Sequence, residues 1–219
     1  MQLVIGNYNL SSWSLRPWLV LRRSGLPFET IRLPFHLPDW RRRLAAWASH
    51  GKVPVLVDGP VRVWDSLAIA EYVAERALPV VALWPRDPPA RAAARSIAAE
   101  MHSGFAHLRA QLPMNVAARL PAPALRAETR EEIERIVALW REARTGWGGD
   151  GPFLFGDFSI ADAFYAPVVS RFVTYGIELP ADLQPWADAI LSMPEMREWA
   201  AAARREVAEE PPGGPPPRV

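Results

Sequence analysis

Three serines crowd one short stretch of the chain, Tyr8-Asn9-Leu10-Ser11-Ser12-Trp13-Ser14-Leu15-Arg16. It follows the apolar run Leu3-Val4-Ile5 and precedes the apolar Leu19-Val20-Leu21. That pattern is a strand, a turn and a helix. Serine hydroxyls at such a place cap the free N–H groups of the first helical turn. They also sit where the helix dipole favours an anion. A hydroxyl there, donating to a bound thiolate, would lower the pKa of that thiol. The chain contains no cysteine. A disulfide, a thiolate metal site and a cysteine nucleophile are therefore excluded, and any thiol must arrive with a ligand. Capping and thiolate binding are compatible, since one of the three serines can cap the helix while another reaches a ligand.

Two further groups have types and positions that suit a ligand. Lys52-Val53-Pro54 opens a strand, where proline has no N–H to give to the ladder. A trans bond is the common state there, whereas a cis bond would turn the Val53 backbone N–H and C=O outward. Those two groups could pair with an extended, peptide-like ligand. Asp65-Ser66 stands where a strand becomes a helix. It caps that helix, and Ser66 at the N-terminus suits a carboxylate while Asp65 suits an ammonium. A ligand with an α-amino and an α-carboxyl group would meet both. Met101, His102, Phe105 and Arg109 follow in a later helical segment that also holds Leu108, with Asn115 beyond. Met101, Phe105 and Leu108 suit a core, and His102, Arg109 and Asn115 suit the polar points of an open pocket. Ser159-Ile160-Ala161-Asp162 has capping-box spacing and is assigned to folding. The histidines lack metal-ligand spacing, so no metal site is expected. No phosphate loop is present.

The elements that must position these groups fall into two halves. In the first, Leu15 to Ser24 is an expected helix with Pro17 in its first turn and Gly25 as its stop. Phe28 to Leu33 alternates as a strand, and Pro38 to Ala48 is a short helix or turn. Val53 to Val57 and Val61 to Trp64 form a hairpin with Asp58-Gly59 as its turn. Leu67 to Ala77 is a helix. The order predicts a small α/β unit, with one antiparallel edge in an otherwise parallel sheet. Residues 1–78 form this domain and the proline-rich 79–89 a linker. Residues 90–208 form an all-helical domain, with helices over 90–118, 128–147, 160–175, 183–193 and 194–207. Residues 209–219, EEPPGGPPPRV, have the composition of a disordered tail. The chain has 219 residues, half of them hydrophobic, which suffices for a core without staples. A net charge of +1 argues for neither nucleic acid nor an anionic membrane. No charged-then-apolar leader and no apolar run near ~18 residues is seen, so a soluble, cytoplasmic protein is expected.

Together, the serine turn after the first strand, Val53-Pro54, Asp65-Ser66 and the Ser159–Asp162 box resemble the glutathione S-transferase family in order and spacing. The resemblance spans about residues 1–208. It implies a thioredoxin-like α/β N-terminal domain, an all-α C-terminal domain, glutathione as co-substrate and a homodimer. The implied activity is conjugation of the glutathione thiolate to a small hydrophobic electrophile, as in bacterial detoxification. The serine turn is similar to that of the zeta class and related bacterial enzymes, whose pattern has two serines and then a cysteine. Here Trp13 holds the place of that cysteine, which argues against an isomerase role tied to it. The resemblance implies Ser11, with Ser12 as alternative, as donor to the sulfur. It implies Val53 beside Pro54 for the cysteinyl backbone, Asp65 and Ser66 for the γ-glutamyl end, and Lys52 for the glycyl carboxylate. Met101, His102, Phe105 and Arg109 are then the expected lining for the electrophile. A non-catalytic glutathione-binding module and a glutathione-dependent isomerase are the alternatives.

Overall fold

The structure, a computed structural model, describes residues 1–48, 50–77 and 80–209. In chain order the first half contains β1 (Gln2–Ile5), α1 (Ser12–Ser24), β2 (Glu29–Arg32), α2 (Trp40–Ala45), β3 (Val55–Asp58), β4 (Val61–Trp64) and α3 (Ser66–Arg76). The strands form one sheet in the order β2-β1-β3-β4. α1 carries the chain back across the sheet, so β2 lies parallel to β1, with Leu3 opposite Thr30. β3 runs against β1, with Leu3 opposite Leu56, and a hairpin sets β4 against β3. One pairing is parallel and two are antiparallel, which corrects the mostly parallel sheet expected from the sequence. The hairpin loop is also one residue later than expected. Asp58 still pairs with Val61, leaving Gly59-Pro60 as the loop, and Gly59 takes φ +57°, which glycine adopts without a Cβ penalty.

Alternation along β1 sorts the core into two layers. Leu3 and Ile5 join Leu15, Trp18, Leu19, Ile69 and Val73 of α1 and α3 in the main core. Val4 points the other way, with Val55, Leu33, Leu44 and Ala48, under Trp40 and Trp47. α1 starts at Ser12 rather than Leu15, because Ser11 and not Ser14 is its N-cap. Pro17 thereby lies in the second turn, where the Trp13 carbonyl has no i+4 amide to accept. Gly25 closes the helix in the left-handed conformation.

The second half contains α4 (Pro88–Ser103), α5 (Ala106–Gln111), α6 (Ala127–Ala143), a π-helical turn at Arg144–Gly148, α7 (Ile160–Tyr175), α8 (Gln184–Ser192) and α9 (Pro194–Glu209). Pro88 and Pro89, expected in the linker, form the first turn of α4, where no N–H is needed. Asp87 caps that turn by accepting from the Ala90 N–H at 3.0 Å. The single helix expected over 90–118 is two. Phe105 takes φ +58°, and a Cβ on Gly104 would stand 2.9 Å from the Glu100 carbonyl oxygen. Glu209 ends α9, and the rest of the expected tail lies outside the described residues. α7 is buried along almost its whole length. Its capping box is formed, with the Ser159 N–H donating to Asp162 Oδ2 at 2.9 Å. Among the described residues, no helix is long and apolar enough to cross a membrane.

Candidate active site

Ser11 ends the β1–α1 turn with its side chain buried. Its N–H donates to the Asn7 carbonyl at 3.0 Å, and its Oγ accepts from the Ser14 N–H at 3.3 Å. Ser14 Oγ lies 2.8 Å from Ser11 Oγ and accepts from the Gly6 N–H at 3.2 Å. If Ser14 gives its proton to Ser11, the Ser11 proton is left for a ligand. Ser12 is oriented differently: its Oγ accepts from Arg171 Nη2 of α7 at 3.1 Å. Ser11 and its alternative Ser12 therefore have distinct surroundings.

The loop before Ser11 is fastened from far along the chain. Buried Glu206 of α9 accepts from the Tyr8 N–H at 2.8 Å, the Asn9 N–H at 3.1 Å and Arg32 Nη1 at 2.8 Å. Trp199 Nε1 donates to the Tyr8 carbonyl at 2.7 Å. Asn9 Oδ1 accepts from the Ala117 N–H, and Asn9 Nδ2 donates to Asn115 Oδ1, both at 2.9 Å. Asn115 is thus an internal tie rather than the open pocket point expected of it. Glu206→Gln places an N–H₂ group among three donors, and leaving buried donors unmade costs roughly 1–3 kcal/mol each. The midpoint of urea unfolding should fall accordingly. An unchanged midpoint would show that α9 does not brace the loop.

Across the turn, the Val53–Pro54 bond is cis. Among the described residues the Val53 backbone N–H and C=O have no hydrogen-bond partner, and Lys52 beside them is exposed. Asp65 holds φ +76°, rare for a residue with a side chain. Its Oδ1 caps α3 through the Leu67 and Ala68 N–H groups at 2.8 and 3.3 Å. Its Oδ2 stands 3.1 Å from His102 Nε2 of α4. The Ser66 side chain is buried, and its hydroxyl has no partner among the described residues.

His102 bridges the halves. Burial pushes its pKa down, against the opposing pull of Asp65. The ring is then neutral, with Nε2–H donating to Asp65, and Nδ1 is buried without a partner. The Trp13 ring meets His102 edge-on at 5.5 Å and has Arg109 at 5.4 Å. Arg109 donates to the Met101 and Gly104 carbonyls. Met101 and Phe105 belong to the core behind these polar groups. The expected residues thus fall into a serine turn (Ser11, Ser12), a backbone edge (Lys52, Val53, Pro54), an acidic cap (Asp65, Ser66) and a facing wall (His102, Arg109). Arg16, Arg171 and Glu206 escaped the sequence reading. An arginine inside the apolar α7 is a visible anomaly, whereas nothing local marks Glu206 among the charged residues of α9.

A four-stranded mixed sheet carrying a serine turn, followed by a helical half, defines a glutathione-transferase type of fold. The model of the glutathione S-transferase N-terminal domain matches residues 10–76, and that of the C-terminal domain residues 123–202. The chain belongs to the glutathione S-transferase family. It is 36% identical over 64 residues to glutathione S-transferase F10 of Arabidopsis thaliana, a match covering 29% of this chain and 30% of that protein. Similar solved structures include a glutathione transferase homolog from Burkholderia gl BGR1 with bound glutathione. That structure has TM-score 0.70 and 23% identity, covering 93% of this chain and 98% of the other. A maleyl pyruvate isomerase, a bacterial glutathione S-transferase of the zeta class, has TM-score 0.71 and 22% identity over the same shares.

Proposed function

We propose that the chain is a glutathione transferase that joins the glutathione thiolate to a small electrophile. The observation that carries this reading is the buried, unpartnered Ser66 hydroxyl at the start of α3, beside the Asp65 carboxylate. A buried hydroxyl without a partner is costly unless a ligand supplies one. The γ-glutamyl end of glutathione has the matching pair, a carboxylate for Ser66 and an ammonium for Asp65. The Val53 backbone pairs with the cysteinyl unit, and Lys52 meets the glycyl carboxylate. That placement brings the sulfur to the α1 turn and Ser11.

The chemistry follows. A thiol of pKa about 9 is mostly protonated at pH 7, and lowering it by ~2 units requires about 2.7 kcal/mol of preferential thiolate binding. A hydrogen bond to a charged acceptor supplies roughly 1.5–3 kcal/mol, and a helix N-terminus adds ~0.3–1 kcal/mol. The thiol proton leaves to solvent. The thiolate pair forms the new C–S bond, and the leaving group departs with the electrons of the broken bond. His102 and Arg109, backed by Met101 and Phe105, face the electrophile. The same reading makes the chain a cytoplasmic homodimer. The exposure of Trp64 on β4, 56%, supports a covered edge.

Retention on immobilised glutathione tests the reading. Wild-type protein should be retained, and Ser66→Ala and Asp65→Asn should elute early. Sedimentation of the same samples should give twice the 24.4 kDa chain. Retention unchanged by both substitutions would refute the glutathione assignment. Retention without turnover of any electrophile would favour a binding module.

A further inference from the structure

Tyr8 and Asn9 lie inside the turn that the Ser11 N–H closes onto the Asn7 carbonyl. These two residues have four backbone polar groups, and each bonds to the helical half. The Tyr8 and Asn9 N–H groups donate to Oε2 and Oε1 of Glu206. The Tyr8 carbonyl accepts from Trp199 Nε1, and the Asn9 carbonyl accepts from the Val116 N–H at 3.2 Å. The Asn9 side chain adds two ties, to the Ala117 N–H and to Asn115 Oδ1. The Asn115 carbonyl is held in turn by Thr174 Oγ1 of α7 at 2.8 Å. These partners of Tyr8 and Asn9 stand 106 to 198 positions further along the chain. Among the described residues, the sheet domain supplies none of these bonds. Asn9, Trp199 and Glu206 are all buried, and the Tyr8 ring meets Trp199 edge-on at 4.7 Å.

The serine turn is therefore shaped by α9 and the 115–117 segment rather than by the sheet it grows from. Apolar packing alone would fasten α9, but an apolar residue at 206 would leave two N–H groups of the turn unmade. We infer that Glu206 and Asn9 are positioning residues for Ser11, a latch that holds its hydroxyl on the glutathione sulfur from outside the sheet domain. This rests on the transferase reading above. Hydrogen bonds weaken steeply with angle, and a misplacement of about 1 Å caused far from the chemistry can lower a rate ~10²-fold. Val53, Asp65 and Ser66 have no bond to Glu206 or Asn9 among the described residues. The latch thus acts on the sulfur and not on the peptide. Charge and geometry have opposite signs here. Glu206→Gln removes a negative charge and keeps the positive charge of Arg32, its partner at 2.8 Å, which by itself favours a thiolate. A displaced Ser11 hydroxyl disfavours one.

Titration of the thiolate absorbance of glutathione bound to the full chain tests the latch. Glu206→Gln should raise the apparent pKa of the bound thiol by about one unit, a tenfold loss of thiolate below that pKa. The kcat/KM should fall to the same extent, and amide exchange at positions 8 and 9 should quicken. Asn9→Ala keeps Glu206 and loses the two side-chain ties. It should act in the same direction, and it carries the test if Glu206→Gln does not fold. Both variants should stay on immobilised glutathione. Asp162→Asn is the control, because it disturbs the buried capping box of α7. It should lower the Tm and leave the thiol titration as in wild type. A lowered thiol pKa in Glu206→Gln would make charge rather than geometry the active influence and overturn the proposal. So would an unchanged titration in both variants, or an equal rise in Asp162→Asn, which reduces the effect to general loosening. Loss of retention in a folded variant would make the latch a scaffold for the whole site and overturn it too. Wild-type protein that is not retained refutes the transferase reading itself, whereas a retained wild type with unshifted variants refutes the latch alone.

Discussion

Ser11→Ala should lower kcat/KM with glutathione by about 10- to 100-fold, the loss expected when one hydrogen bond to a charged atom is removed. The acidic limb of the pH profile should move up by ~1–2 units, because in the proposed mechanism the bound thiol loses the donor that holds its pKa down. The thiolate absorbance of bound glutathione near neutral pH should fall in parallel. A second effect has a different origin. Ser11 is the N-cap of α1 and accepts from the Ser14 N–H. Its removal should also lose about 1 kcal/mol of stability, a Tm decrease of ~2–4 °C. The two effects separate in Ser11→Asn, which keeps a capping oxygen and displaces the hydroxyl. Stability should recover there, and turnover should not. Ser12→Ala is the counter-test, because Ser12 Oγ already accepts from Arg171. Should Ser12→Ala abolish thiolate absorbance while Ser11→Ala leaves it intact, the roles assigned to the two serines are reversed.

The elements around Ser11 were legible because each carries a local signal. A strand, a run of hydroxyls and an apolar helical stripe follow one another within about 20 residues, and Gly25 marks the stop. Asp65-Ser66 was legible for the same reason, since an N-cap is a local device whose side chain meets its own helix. Errors arose where a local signal had two meanings. Pro88 and Pro89 break a helix from inside but begin one at its first turn. Gly104 inside an Ala-rich run reads as a mid-helix glycine at a close packing contact, yet the break it marks lies in the backbone turn of Phe105. The direction of β3 depends on which side of β1 it enters, and no residue pattern records that. The hardest features to read were contacts between distant segments. Glu206 joins Tyr8 and Asn9 across nearly 200 positions, and Arg171 reaches Ser12 across 159. Nothing local to α1 marks Arg16 as a buried residue. Packing of α1 against α7 turned it inward.

The largest stability effect is expected at Asp162, which the sequence marked only as the end of a capping box. Its side chain is fully buried and receives four donors. The Leu154 N–H at 3.0 Å and Trp186 Nε1 at 2.9 Å meet Oδ1, and the Ser159 N–H at 2.9 Å and Ser159 Oγ at 3.0 Å meet Oδ2. A carboxylate has about four acceptor positions, so donors and acceptors match. Burial pushes this carboxyl above its ordinary pKa, and the four donors pull it back. Asp162→Asn preserves the shape but turns an N–H₂ group toward two donors. Unmade buried donors lose roughly 1–3 kcal/mol each, and relief of the buried charge returns part of that. A net loss of about 3 kcal/mol is expected, a Tm decrease of ~6–12 °C for a chain of this size. The site itself should tolerate the change. Asp162 joins the loop before α7 to α8 and contributes no group to the serine turn, the Val53 edge or the acidic cap. Well below its Tm, the variant should therefore bind immobilised glutathione like wild type. A variant that kept the wild-type Tm would show that the Trp186 and Leu154 donors have other acceptors. A variant that folded normally but lost retention would place Asp162 in communication with the glutathione site, against the structural role assigned to it.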